Sequence, residues 1–173
     1  MTHDRRNQID EYAEKLRAAL VGDGLPVDVE RLTARLGGTL VVSDKLKHEA
    51  QIRNVGPKSF EITILPWEVE ARRRFAIAHE LGHLLLHTGY LTDRWAAVDV
   101  WEDSMQRPGV NEEECDAYEF AGALLMPKKQ FLRVARRNRD GDTYRIRPIA
   151  ESFAVSLDAA RSRGRWLNLF TWF

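Results

Sequence analysis

Apolar residues between positions 68 and 87 recur at helical spacing. Ile77, Leu81, Leu84 and Leu85 stand at i, i+4, i+7 and i+8, which is the buried stripe of an amphipathic helix. From Glu68 to His87 the run holds no Pro and one Gly, and Pro66 stands just ahead of its start. A second helix is expected from Asn111, placed as its N-cap, to Pro127, which ends it. Ala117, Ala121, Gly122 and Ala123 make this helix thin on one side, so it can approach the first closely. Upstream, residues 7–21 carry Ile9, Ala13, Leu16 and Leu20 on one side, and Pro26 to Leu36 reads as a short helix stopped by Gly37 and Gly38. Thr39–Val42, Ala50–Asn54 and Ser59–Leu65 read as strands. The last alternates as Phe60, Ile62 and Ile64, and Gly56-Pro57 turns between the last two. Beyond Pro127 the pattern gives a basic helix and then two short helices across Pro148–Arg163, with Ser156 capping the second. Strands bunched between helices indicate an α+β fold.

Composition narrows the class. A chain of 173 residues, 44% of them hydrophobic, suits one domain with a core of its own. The expected organisation is a single domain over 1–173, with N-terminal helices in 1–38, the sheet and the two central helices in 39–127, and a C-terminal helical part in 128–173. No apolar run approaches the length of a membrane span, and no apolar segment follows the charged N-terminus, so neither a membrane helix nor a signal peptide is expected. The single cysteine, Cys115, forbids an intramolecular disulfide and suits a reducing cytoplasm, where it is expected as a buried thiol.

Twenty-six basic residues balance 26 acidic ones, which argues against an autonomous nucleic-acid binder. The charge is nonetheless uneven. Lys128, Lys129, Arg133, Arg136, Arg137, Arg139, Arg145 and Arg147 crowd one stretch, read either as a solvated face or as a contact for an acidic partner. The rhythm of the last two helices also occurs in helix-turn-helix proteins, and in that reading Arg161, Arg163 and Arg165 would contact DNA. The tail from Trp166 to Phe173 is rich in aromatics, suiting core packing or self-association.

The chemistry lies in His79-Glu80-Leu81-Gly82-His83, an HExxH pattern inside the first long helix. Four residues apart on a helix, the two imidazoles share a face and can reach one ion. Glu80 sits about 100° round, where it can handle a proton of water instead of ligating. His79, His83 and His87 run along the edge of the apolar stripe, at the rim of a core where a cleft can open. A tetrahedral zinc site with an open position needs a third protein donor. Glu112, Glu113 and Glu114 all lie on the first turn of the second helix, and Glu114 also fits the reciprocal position of a capping box with Asn111.

The blocks Arg72-x-Arg74-Phe75-x-x-Ala78-His79-Glu80-Leu81-Gly82-His83-Leu84-x-Leu86-His87 and Glu114-x-Asp116-Ala117-x-x-Phe120-Ala121-x-x-Leu124-Leu125-Met126-Pro127 closely resemble the ImmA/IrrE family of metallopeptidases. The two blocks span residues 72–127, with weaker similarity toward both ends. Asp116 stands where the family has a second Glu, and Tyr118 where it has Asn; neither change removes a ligand. The resemblance implies a zincin-like core, a small antiparallel or mixed sheet packed on the HExxH helix. It implies one Zn²⁺ per chain on His79, His83 and Glu114, and Glu80 as the proton acceptor in peptide-bond hydrolysis.

The resemblance further implies a helix-turn-helix repressor as substrate or partner, cut to relieve repression in a mobile-element, stress-response or toxin–antitoxin-like system. The competing readings are a metal-containing module that sequesters a repressor without cutting it, and a DNA-binding regulator acting through its C-terminal helices. His87, Tyr90 and Tyr118 are candidates to stabilise an oxyanion, and Arg72 and Arg74 to contact the substrate chain. For the two arginines, i, i+4 pairs with Glu68 and Glu70 offer a local alternative worth about 0.3 kcal/mol each. Residues 60–65 are expected as an edge strand that receives substrate by strand addition. The loop Gly89–Val110 is long enough for a lid.

Overall fold

The computed structural model describes residues 2–46, 49–66, 69–92, 94–95 and 112–170. Helices α1 (His3–Leu20) and α2 (Val29–Arg35) lead into strands β1 (Gly38–Val42), β2 (Ala50–Gly56) and β3 (Ser59–Ile64). Then come α3 (Glu70–Leu86), α4 (Glu112–Leu125), α5 (Lys128–Arg137), a short hairpin of β4 (Arg139–Asp140) and β5 (Thr143–Tyr144), α6 (Ile146–Phe153) and α7 (Leu157–Trp166). The architecture is α+β. Side-chain oxygens of Thr2, Asp28 and Ser156 cap α1, α2 and α7 by accepting from backbone N–H groups that have no partner inside the helix. The β4–β5 hairpin lies where the pattern gave only loop; Gly141, at φ 59°, makes its turn. Among the described residues no helix is long and apolar enough to cross a membrane.

The main sheet is mixed, in the order β1-β3-β2. β3 runs parallel to β1, with Leu40 beside Ile62, and antiparallel to β2, with Ile52 beside Ile62. Alternation along β3 buries Phe60, Ile62 and Ile64 completely or nearly so, in one core with Ile77, Leu81 and Leu84 of α3. The strand over residues 60–65 is therefore central, contrary to the edge expected of it. Both of its ladders are filled, so strand addition can take place only on the outer edges of β1 or β2.

The largest contact in the fold is α3 against α4. Gly82 makes it possible: a Cβ there would lie 3.0 Å from Ala117 Cα and 3.1 Å from the Ala117 carbonyl oxygen. Backbone meets backbone where a glycine faces an alanine. Gly122 plays no part in this contact, since a Cβ on it would meet nothing within 4 Å.

Charged side chains fix the other sides of α4. Arg5 of α1 holds Asp116 through Nη2 at 2.6 Å and Nε at 2.9 Å, and Arg6 donates to Glu119 at 3.1 Å. From α7, Arg163 donates to Glu119 at 3.2 Å, to the Met126 carbonyl at 3.1 Å and to Asp10. At 2% exposure Arg163 is a core residue, and Arg161 pairs with Asp158. The helix-turn-helix reading, which needs both as DNA contacts, loses Arg163 to the fold, while Arg161 stays exposed. Arg133, Arg136, Arg137, Arg145 and Arg147 are exposed, as both a solvated face and a contact for an acidic partner require. Of the aromatic tail, Phe170 turns inward against Tyr144 at 5.0 Å between ring centroids while Trp166 is exposed; Trp172 and Phe173 lie outside the described residues.

Replacing Gly82 by Val forces branched methyls into the Ala117 backbone. We expect the Val variant to lose about 1–3 kcal/mol of stability in urea unfolding. Gly82→Ala should lose less, because better helix propensity offsets part of the overlap. Equal stability of the wild type and Gly82→Val would disprove the close crossing.

Candidate metal centre

α3 presents His79 and His83 on successive turns, and the Gly82–Ala117 crossing brings the first turn of α4 against them. Their Nε2 atoms lie 3.0 Å apart. Glu114 Oε2 is 3.3 Å from His79 Nε2, and Oε1 is 3.2 Å from His83 Nε2. A tetrahedral ion with ligand bonds near 2.0–2.1 Å holds neighbouring donors about 3.3 Å apart, so the observed separations suit one zinc-sized ion. Glu112 and Glu113 are exposed; of the three glutamates, Glu114 is the one that joins the histidines. Asn111, its expected capping partner, lies outside the described residues.

The site also favours ligands without protons. Burial, reinforced by the adjacent His79, pulls the His83 pKa down to about 4 against the pull of Glu114. His83 is therefore neutral at neutral pH, with a lone pair available. Glu114 is held below the usual carboxylate range, first by its hydrogen bond with His79. Glu80, next in sequence to His79, is buried at 4% exposure.

His87 does not face the cleft. Its Nδ1 lies 3.2 Å from Nδ1 of His83, on the side of that ring away from Glu114, and its Nε2 lies 3.9 Å from Asp116 Oδ2. Its expected place beside an oxyanion is thus replaced by one behind a ligand. Tyr90 is elsewhere altogether. Its hydroxyl donates to the Leu36 carbonyl and lies 3.0 Å from that of Lys58, while its ring packs edge-on against Phe60 and Trp95. Arg74 is likewise committed, donating to the Val27 carbonyl at 2.7 Å, and burial lowers its pKa. Arg72 pairs with Glu49 at the head of β2; Glu68, its expected partner, lies outside the described residues. Tyr118 alone of the secondary candidates touches the donors from the exposed side, its ring centroid 4.5 Å from that of His79, and it is 55% exposed. Most of the expected lid, residues 93 and 96–110, lies outside the described residues.

Sequence reasoning passed over two contributors. Gly82 reads in the sequence only as a tolerated helix glycine, although a glycine between two candidate ligand histidines is where a partner helix can come nearest. The Arg5–Asp116 pair, 111 residues apart in the chain, leaves no local signal.

A family model described as the IrrE N-terminal-like domain, a peptidase family, matches residues 31–164. No curated protein matches the chain. Among solved structures, a Mycobacterium tuberculosis transcriptional regulator is similar, at 25% identity and a TM-score of 0.61 over 93% of this chain and 48% of that one. This chain therefore spans about half the length of that regulator. The match over most of the chain takes in both metal-site helices, and the protein belongs to the IrrE N-terminal-like family.

Proposed function

We propose that the chain is a zinc-dependent endopeptidase of the ImmA/IrrE type. The convergence of His79, His83 and Glu114 on one point, with buried Glu80 beside them, carries this reading. A zinc ion held there would supply Lewis acidity to the attacking water and the scissile carbonyl. Glu80 takes the proton of that water and passes it to the leaving amine, acting as base and then acid. Tyr118, exposed beside His79, is the candidate nearest to a developing oxyanion.

The substrate in this reading is a helix-turn-helix repressor, cut in a reducing cytoplasm to relieve repression. Support comes from the family resemblance and from a structural relative that is a transcriptional regulator.

His87 acts from behind. For His83 to offer Nε2 to a metal, its Nδ1 must carry the proton and donate it to His87 Nδ1, 3.2 Å away. His87 must then be protonated on Nε2, the nitrogen that faces the Asp116 carboxylate at 3.9 Å. That distance is too long for a direct hydrogen bond but short enough for the negative charge to favour this tautomer. Arg5 fixes the carboxylate in turn.

Three outcomes are expected. The purified wild type and the Glu112→Ala and Glu113→Ala variants should each hold one zinc per chain by elemental analysis, and Glu114→Ala should lose it. Zinc retained by Glu114→Ala would move the third ligand elsewhere. His87→Ala should bind zinc about 10–100-fold more weakly in chelator competition, with partial rescue by His87→Gln, whose amide oxygen can accept from His83. Equal affinity of His87→Ala and the wild type would remove His87 from the support of His83. Glu80→Gln should keep fold and zinc while cleavage of the repressor falls about 10²–10⁴-fold. If that variant relieves repression in cells as fully as the wild type, sequestration is the mechanism instead.

A further inference from the structure

A groove of about 860 Å³ runs between α3, α4 and α7, within the range of ligand-binding clefts. Its floor is one face of α4, where Cys115, Tyr118, Gly122 and Met126 succeed one another at i, i+3, i+7 and i+11. Phe75 of α3 and Trp166 of α7 form opposite walls. None of the three donors lines the groove, but its Tyr118 end is one side chain away from them: Tyr118 packs on His79 at 4.5 Å and on Phe75 at 6.0 Å between ring centroids.

Two features define what the groove can hold. The charges that line it are paired: Arg72 with Glu49 and Asp158 with Arg161 at the surface, and Arg6 and Arg163 with the buried Glu119. A charged occupant would meet no unbalanced partner there, whereas an apolar one would cover Phe75 and the exposed Tyr118. The second feature is Gly122, where a Cβ would meet nothing within 4 Å. In mid-helix, glycine costs about 1 kcal/mol relative to alanine, and no close packing here requires it. What it provides is depth.

We propose that the end of this groove between Tyr118 and Gly122 is the specificity subsite of the peptidase, receiving a bulky apolar side chain of the substrate next to the scissile bond, with Gly122 setting its depth. The inference rests on the endopeptidase reading. A polypeptide crossing the donors beside Tyr118 has the groove directly at hand, and apolar side chains enter it without stripping water from a charge.

The test uses the full chain loaded with zinc, its Gly122→Ala and Gly122→Leu variants, and fluorogenic octapeptides varied among Ala, Leu, Phe and Glu on either side of the cut. Both variants should hold zinc and unfold at or above the wild-type temperature, since alanine and leucine favour helix and the space is open. Wild-type kcat/KM should favour Phe or Leu over Ala at one position by about 10-fold or more, as expected for filling an apolar pocket. Gly122→Leu should collapse that ratio toward one, with Gly122→Ala in between.

A Phe-to-Ala ratio unchanged in Gly122→Leu overturns the assignment, as does a wild-type preference for Glu. The same peptides are also titrated onto Glu80→Gln, with and without Gly122→Leu, using fluorescence anisotropy. If the wild type cuts none of these peptides, the peptidase reading is decided by repressor cleavage, and tighter binding of Phe peptides that Gly122→Leu abolishes still upholds the subsite. Equal binding of Phe and Ala peptides refutes it. Loss of anilinonaphthalene sulfonate binding in Gly122→Leu with unaltered peptide binding would also refute it, reassigning the groove to a small apolar molecule.

Discussion

The close crossing of α3 and α4 is the constraint on which the site depends. A carboxylate on one helix reaches two imidazoles on another only if the backbones approach more nearly than ordinary side chains allow. Gly82 meets Ala117 where a Cβ would stand 3.0 Å from Cα. From that point the donors follow by helical arithmetic. His79 is one turn before Gly82 and His83 one residue after it, while Glu114 is one turn before Ala117. The HExxH pattern therefore holds, between its two histidines, the residue that lets the third ligand arrive.

Holding α4 in that position takes more than the apolar core. The helix carries five acidic residues, and the structure gives them different work. Glu112 and Glu113 face solvent, Glu114 faces the histidines, and Asp116 and Glu119 are gripped by Arg5, Arg6 and Arg163. Burial pushes the Glu119 carboxyl up even with two guanidinium groups against it, so desolvation there outweighs the attraction. Such a cluster adds little net stability compared with an apolar one, but losing one member strands the others. It therefore specifies position: α1 and α7 can dock on α4 in one register only. Asp116 lies at the same time within reach of His87, so one ion pair contributes both to the docking of α1 and to the orientation of His83.

Much of this was legible in the sequence because it is local. Helical periodicity gave α3 and α4, and the two family blocks gave the residues that the structure brings together at the donors. What was not legible depends on which elements become neighbours. Alternation in Phe60, Ile62 and Ile64 shows which face of β3 is buried but not how many strands flank it, so the pattern does not distinguish a central strand from an edge. Tyr90 and Arg74 stand close to the pattern in sequence, yet their partners, Leu36 and Val27, come from the N-terminal segment, and no local signal announces them. Gly122 is a different case. Five residues at about 100° each place it about 140° round the helix from Ala117, so helical phase alone separates it from the crossing.

That phase also explains how α4 can serve packing and access together. Ala117, Phe120, Ala121 and Leu124 form its buried side, while Cys115, Tyr118, Gly122 and Met126 form its groove side. Glu114 falls on the border between them, at about 60° from Ala117 on one side and about 40° from Tyr118 on the other. Further round toward the core, a carboxylate would be buried against α3 with no room for a reacting group. Further round toward the groove, it would point away from the histidines. On the border it meets His79 and His83 while the open side of the donors adjoins Tyr118. The angular place of one glutamate thus joins the metal centre to the groove, so that ligand geometry and access to the donors both follow from the rotation of α4 against α3.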